Sequence, residues 1–368
     1  MDASSDSDQY EVMNSSSSSS STDSDEELLL ELNRRVRRER TFRERPDNFT
    51  KWSDQEFTMR FRLQKESVLF LLELIEGQLA TISNRNKAIT PMNQLLLTLR
   101  LYATGNMLIA VGDFSGVHKS TACRIVKKVT AAICTLSENY IRMPNTEEEI
   151  RNHQLAFYNI ARFPRTIGAI DCTHVRIQSP GGHNAEYFRN RKGYFSLIVQ
   201  VVGDASLRVL DIVVRWPGST HDQTIFNNSR IHARLENGEF NNSIILGDSG
   251  YAIQKYLITP LLHPNNDAEQ LFNEAQIRTR NPIERLFGVL KRRFPILSIG
   301  IRIKLQTAQQ SIIACATLHN LARARNDGEP LVDPDVIVPV IDDQPQNHVE
   351  AENRNFYRQP FINYFSTL

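Results

Sequence analysis

Cysteine is scarce in this chain. Among 368 residues there are four, Cys123, Cys134, Cys172 and Cys315, and none forms a CxxC pair. That pattern argues against a zinc site or a disulfide frame, and the thiols read as reduced in an intracellular protein. The start is rich in Asp and Ser, not apolar, so neither a secretory signal nor a mitochondrial transit peptide is expected. Long apolar runs are missing too. No stretch is long enough and free enough of charge to cross a bilayer, so no membrane partner is expected. Formal net charge is only +1, and overall charge therefore announces no nucleic-acid partner. No internal repeat is visible.

What charge there is lies in blocks. A serine run at 15–21 sits in an acidic stretch, and the arginine cluster RRVRRERTFRER follows at 34–45. Such blocks are usually solvated; basic ones also serve as nuclear-import or nucleic-acid patches. Residues 1–48 read as a disordered tail with a short helix open to it at 26–40. From Trp52 the apolar spacing turns helical, and 49–147 reads as an all-helical region, with Pro91 suited to a first helical turn. After Pro164 the texture changes. TIGAID, YFSLIVQVVGD, RVLDIVVRW and NNSIILGD read as strands, and helical segments follow, with Pro282 near the start of one and QTAQQSIIACATLHNLAR as the last. The order implies a mixed α/β domain over 148–325 with helices packed on a sheet. The tail at 326–368 ends in the aromatic NFYRQPFINYF, which could dock on the body or on a partner.

Four acids carry the chemistry. Asp171 ends TIGAID, Asp222 in PGSTHD closes the third strand, Asp248 follows NNSIILG, and Glu284 opens the basic helix IERLFGVLKRRF. Carboxylates gathered from separate elements suit hard divalent cations such as Mg²⁺ or Mn²⁺, whose preferred ligands are oxygens. Each acid also has a plainer use: Asp171 and Asp248 can cap turns, Asp222 can serve a loop, and Glu284 can complement a helix N-terminus. His174 and His221 adjoin acids and suit either phosphate or structural roles. Lys291, Arg292 and Arg293, beyond Glu284, are a phosphate clamp or a solvated face, and the same holds for Arg189, Arg191 and Lys192. In GDFSGVHKSTACRIVKKV, a short helix, a break at Ser115-Gly116 and a second helix from about Lys119 have the look of a helix-turn-helix. Lys119, Ser120, Thr121 and Arg124 fall where a recognition helix meets DNA, with Lys127 and Lys128 behind them; such helix pairs also occur in plain bundles.

The blocks GAIDCTHVRIQSP, EYFRNRKGYFSLIVQ, RWPGSTHDQTIFNNS, LGDSGYAIQKYLITP and RNPIERLFGVLKRRFP, in this order, resemble those of Harbinger-type transposases and their domesticated nuclease relatives. The resemblance implies an RNase H-like fold of the integrase and DDE transposase type behind a helical DNA-binding region. It implies Asp171, Asp248 and Glu284 as catalytic acids, Asp222 as a further metal ligand, and a two-metal site for DNA phosphodiester hydrolysis. No family acid is replaced. It further implies a separate Myb-like DNA-binding partner protein and action in the nucleus, with cytoplasmic residence when that partner is absent. Homo-oligomerisation and the DNA target stay open, as does a catalytically silent scaffold that keeps the fold.

Overall fold

The computed structural model describes residues 44–80, 87–330 and 356–367. The serine run, most of the arginine cluster and the 26–40 helix lie outside the described residues. Seven helices come first: α1 (Asp54–Phe61), α2 (Lys65–Leu79), α3 (Pro91–Thr104), α4 (Leu108–Phe114), α5 (Lys119–Cys134), α6 (Ser137–Tyr140) and α7 (Glu147–Ala161). Their ends follow the side chains. Ser53 and Glu56 cap α1 reciprocally, Pro91 opens α3 behind Thr90, and three glutamates open α7. Between α4 and α5 the chain turns at Gly116, whose φ is 64°. A Cβ there would lie 2.5 Å from the Glu44 carbonyl, so the turn requires glycine twice over.

The sheet follows: β1 (Thr166–Arg176), β2 (Ser196–Gly203), β3 (Val209–Pro217), then helices α8 (Asp222–Asn227) and α9 (Arg230–Glu236), then β4 (Ile244–Leu246) and β5 (Leu257–Ile258). The strand order is β3-β2-β1-β4-β5. β1, β2 and β3 pair antiparallel, whereas β4 runs parallel to β1 and β5 parallel to β4. The remaining helices are α10 (Asp267–Arg280), α11 (Pro282–Arg293), α12 (Ile296–Ile299), α13 (Leu305–Ala324) and α14 (Gln359–Phe365).

Strand periodicity sorts the core into layers. Ala169, Val175, Val199 and Val201 join Leu286, Leu290 and Leu318 on one face, in a cluster that continues into Leu71, Leu99, Tyr102 and Val126 of the first helices. Ile170, Ile198 and Val202 join Ile225 and Phe226 on the other. A third cluster gathers Ile244, Leu246, Phe163 and Phe272 with Phe361 and Phe365 of the C-terminal aromatic segment. That segment therefore docks on the body. Phe361 stacks on Phe163 with ring centres 5.3 Å apart, and the buried Arg358 donates to the Thr259 carbonyl at 2.9 Å.

Three details differ from the sequence reading. β1 does not end at Asp171; it runs on to Arg176 because β2 pairs with it throughout. Asp222 does not close β3 but is the first residue of α8. A fifth strand, β5, is only two residues long, too short to leave a periodic signal. No helix among the described residues is long and apolar enough to cross a membrane, and all four cysteines are free.

Candidate active site

Register brings the first two acids together. Ala169 of β1 is paired with Leu246 of β4, and β4 ends there. Two residues further along stand Asp171, still within β1, and Asp248, in the loop that leaves β4, and the charge of Asp248 bears on the Asp171 carboxyl. Asp248 is turned by its own loop, its Oδ1 accepting from the Gly250 N–H at 3.0 Å. Asp171 Oδ1 accepts from the Cys172 N–H at 2.7 Å.

The third acid arrives by helix packing. α11 buries Ile283, Leu286, Phe287 and Leu290 against the sheet. It comes close because β2 ends in glycine: a Cβ on Gly203 would lie 2.8 Å from Leu286 and 3.0 Å from Ile283. Glu284, between those two anchors, is left on the open side of the helix. Pro282 interrupts the hydrogen-bond ladder without turning the chain, since Asn281 keeps helical angles. Gln276, Arg280 and Glu284 consequently form one column at four-residue spacing. The top of the column is fixed, as buried Gln276 donates to the Gly247 carbonyl at 2.8 Å. Arg280, below it, reaches both acids, with Nη1 3.1 Å from Asp171 Oδ2 and Nη2 2.5 Å from Glu284 Oε1.

Electrostatics report the same crowding. Burial pushes the Asp171 carboxyl up to about 8, the charges of Asp248 and, more weakly, Asp222 add to this, and Arg280 opposes it. Asp222 also bears on Cys172, which faces the other side of β1 and meets the Tyr251 hydroxyl at 3.3 Å. Burial holds that thiol and that phenol well above their ordinary ranges.

The donor set consists of carboxylate oxygens, the chemistry that suits Mg²⁺ or Mn²⁺, and its unbalanced negative charge would be relieved by such an ion. Among the described residues, however, no three His, Cys, Asp or Glu side chains draw together into an ion-holding group. A guanidinium instead stands between Asp171 and Glu284. The acids fit a cation in kind, and Arg280 sets their present spacing.

The basic trio separates. Successive helical residues point about 100° apart, so one run cannot present all three charges to one ligand. Lys291 turns toward the site, and its Nζ donates to Thr173 Oγ1 at 2.6 Å, two residues along β1 from Asp171. Arg292 is half-buried. Arg293 is 2 % exposed and donates to the carbonyls of Gly328, at 2.9 Å, and Arg62, at 3.3 Å. It is spent on joining α11 to the first helices, which corrects its assignment to a phosphate clamp. Arg189 is paired with Glu186 at 2.7 Å, while Arg191 and Lys192 are exposed. His174 Nδ1 lies 3.1 Å from Ser196 Oγ, and exposed His221 precedes α8 as its cap residue. Lys119, Ser120 and Arg124 are exposed on α5 and Thr121 is half-buried; Lys128 instead donates to the Leu79 carbonyl at 2.8 Å. Sequence reasoning missed Arg280 and Gln276. Their signal was there, four and eight residues before Glu284 on one helical face.

A mixed sheet with flanking helices, with one acid within β1 and another just past β4, defines an α/β domain of the DDE endonuclease class. The family described as DDE superfamily endonuclease matches residues 170–320. The chain is 31% identical to "Putative nuclease HARBI1" of Homo sapiens over 274 residues, 73% of this chain and 78% of the relative. Its counterpart in Rattus norvegicus is 29% identical over 85% of this chain and 91% of the relative, and "Protein ALP1-like" of Arabidopsis thaliana is 24% identical over 82% and 76%. The chain belongs to the Harbinger transposase-derived nuclease family. No solved structure matches it.

Proposed function

We propose that this chain is a DNA endonuclease dependent on Mg²⁺ or Mn²⁺, with an RNase H-like catalytic fold. The observation that carries the reading is the pairing of Ala169 with Leu246, which sets Asp171 within β1 and Asp248 just past β4, each two residues beyond that pair on parallel strands, with Glu284 linked to Asp171 through one guanidinium. The strand order, antiparallel on one side of β1 and parallel on the other, supports the fold. Asp171, Asp248 and Glu284, with Asp222 assisting, would hold the cation. Bound there, it supplies a water acidic enough to yield hydroxide near neutral pH, and positive charge for the phosphoryl oxygens.

The chain's own residues do the rest. β1 fixes Asp171 and the turn after β4 fixes Asp248, while Glu284 stands 54% exposed at a helix start, open to the substrate side. Lys291, steadied by Thr173, sets a positive charge beside β1 for a phosphate. Lys119, Ser120, Thr121 and Arg124 would hold duplex DNA from α5 in a helix-turn-helix. A Myb-like DNA-binding partner protein, action in the nucleus and residence in the cytoplasm without that partner are part of this proposal, carried by the resemblance alone.

A second reading is a silent DNA-binding scaffold, favoured by Arg280 standing among the acids. A plasmid-nicking assay with Mg²⁺ or Mn²⁺ separates the two. The parent chain should cut and Asp171→Asn should not, with the same melting curve. Equal cutting by both would move the active site elsewhere, and no cutting by the parent would favour the scaffold.

A further inference from the structure

We propose that Arg280 is a latch on the acidic site: its guanidinium holds the place of a cation between Asp171 and Glu284, and must release them before a divalent ion can be bound. The inference rests on the nuclease reading given above and deepens it, because it concerns how the same site is loaded.

Geometry carries the argument. Arg280 is the last residue of α10, and its two terminal nitrogens are divided between two elements, Nη1 on Asp171 of β1 and Nη2 on Glu284 of α11. A planar fork bridging two carboxylates is a task to which arginine is suited and lysine is not. Asp171 has both oxygens engaged, Oδ1 by the Cys172 N–H and Oδ2 by Arg280. An ion ligated by Oδ2 would therefore press on a like charge already in contact with that oxygen. One of the two must leave.

Arg280 can leave without loss of the helix that bears it. α10 is held to the sheet by Gln276 on the Gly247 carbonyl, by Asn273 exchanging hydrogen bonds with the backbone of Leu261 at 2.8 Å each way, and by buried Phe272. The bond to Glu284 is an i,i+4 pair whose carboxylate end is 54% exposed, although Arg280 itself is only 13% exposed, so water can take over the contact at the Glu284 end. The latch is thus a local charge arrangement on a firmly seated frame. Its effect is to lower the affinity of the acids for a divalent ion, since only the released fraction is competent to bind.

The test is calorimetric titration of the full chain with Mn²⁺, comparing the parent, Arg280→Gln, Arg280→Lys and Asp171→Asn. Arg280→Gln should bind Mn²⁺ about tenfold more tightly, which corresponds to a latch open about one-tenth of the time in the parent. Arg280→Lys should fall between the two, since one ammonium cannot grip both carboxylates, and Asp171→Asn should lose uptake. A merely structural arginine would give the opposite sign, weaker binding with a lower melting temperature. If the parent takes up Mn²⁺ and Arg280→Gln binds it equally or less tightly, the latch is refuted and the nuclease reading stands. If neither chain takes up Mn²⁺, both fail. Should Arg280→Gln not fold, Arg280→Lys decides alone: tighter uptake than the parent supports the latch, equal or weaker uptake refutes it.

Discussion

The side-chain amide of Gln276 lies 2.8 Å from the carbonyl oxygen of Gly247, the residue before Asp248. This contact couples the helix that delivers Arg280 to the strand end that delivers an acid. The same nitrogen is 3.3 Å from the Ile258 carbonyl, so one buried amide ties α10 to the ends of both β4 and β5. Secondary structure places the acids near one another, and this cross-link fixes how the helical column meets them.

Gln276→Leu should reveal that coupling. The substitution keeps the volume but takes the side-chain donor from the Gly247 carbonyl, while the Ile258 carbonyl keeps the Gly247 N–H at 3.1 Å, and one buried carbonyl left without a donor costs about 1–3 kcal/mol. Urea denaturation should register that loss. Metal-dependent nicking should fall further than duplex binding does, because the defect lies under the acids and not on α5. A variant as stable and as active as its parent would show that the amide is incidental.

Gly203 sets the depth of α11. With the side-chain tips of Leu286 and Ile283 only 2.8 and 3.0 Å from an imagined Cβ, Gly203→Val must displace those side chains and, with its two further methyl groups, should press on the helix that carries them. Overpacking of this kind costs about 1–3 kcal/mol. Glu284 would move with the helix, so the expected outcome is a lower unfolding midpoint together with slower cleavage. Unaltered cleavage in a folded variant would mean that the position of Glu284 is not critical.

Much of this was legible in the sequence, and the illegible parts share a cause. The strands containing Val199, Val201 and Val214 announce themselves by apolar, β-branched runs, and Pro282 marks its helix start. The far half of β1, CTHVR, hides because it mixes polar and apolar residues beyond the end of β4, held by β2 on the other side. Arg293 and Lys291 look alike as letters in a basic run, but two residues of helical rotation send one into the core and the other to Thr173. Arg280 could be placed on the face of Glu284 from spacing alone. That it also meets Asp171, 109 positions earlier, is a tertiary fact with no local trace.

Arg124 tests the DNA-facing assignment of α5. It is exposed near the start of the helix, and its guanidinium reaches no closer than 3.4 Å to Thr121 Oγ1. Arg124→Ala should therefore leave stability almost unchanged. It should weaken duplex binding, and a phosphate contact would make the log–log salt slope shallower by about one. Fluorescence anisotropy across a salt series measures both. Unchanged affinity and slope would remove this residue from the interface.

His319 gives the fold a sensitivity to acid. It is fully buried in α13, where Nε2 pairs with the Leu207 carbonyl at 2.7 Å. Burial depresses its pKa from 6.5 to about 3, the Leu207 carbonyl works against that, and the charges of Arg293 and Arg323 reinforce it. The folded chain thus keeps the ring neutral while the unfolded chain protonates it below about 6.5. Its contribution to stability is complete above that value and drains away as pH falls toward about 3, below which the slope ends. Between pH 7 and pH 5 the loss from this residue should be about 2 kcal/mol. Urea midpoints of the parent and of His319→Gln at the two pH values isolate the effect: the variant starts less stable but should lose less on acidification. Parallel losses in both chains would place the acid sensitivity in other groups.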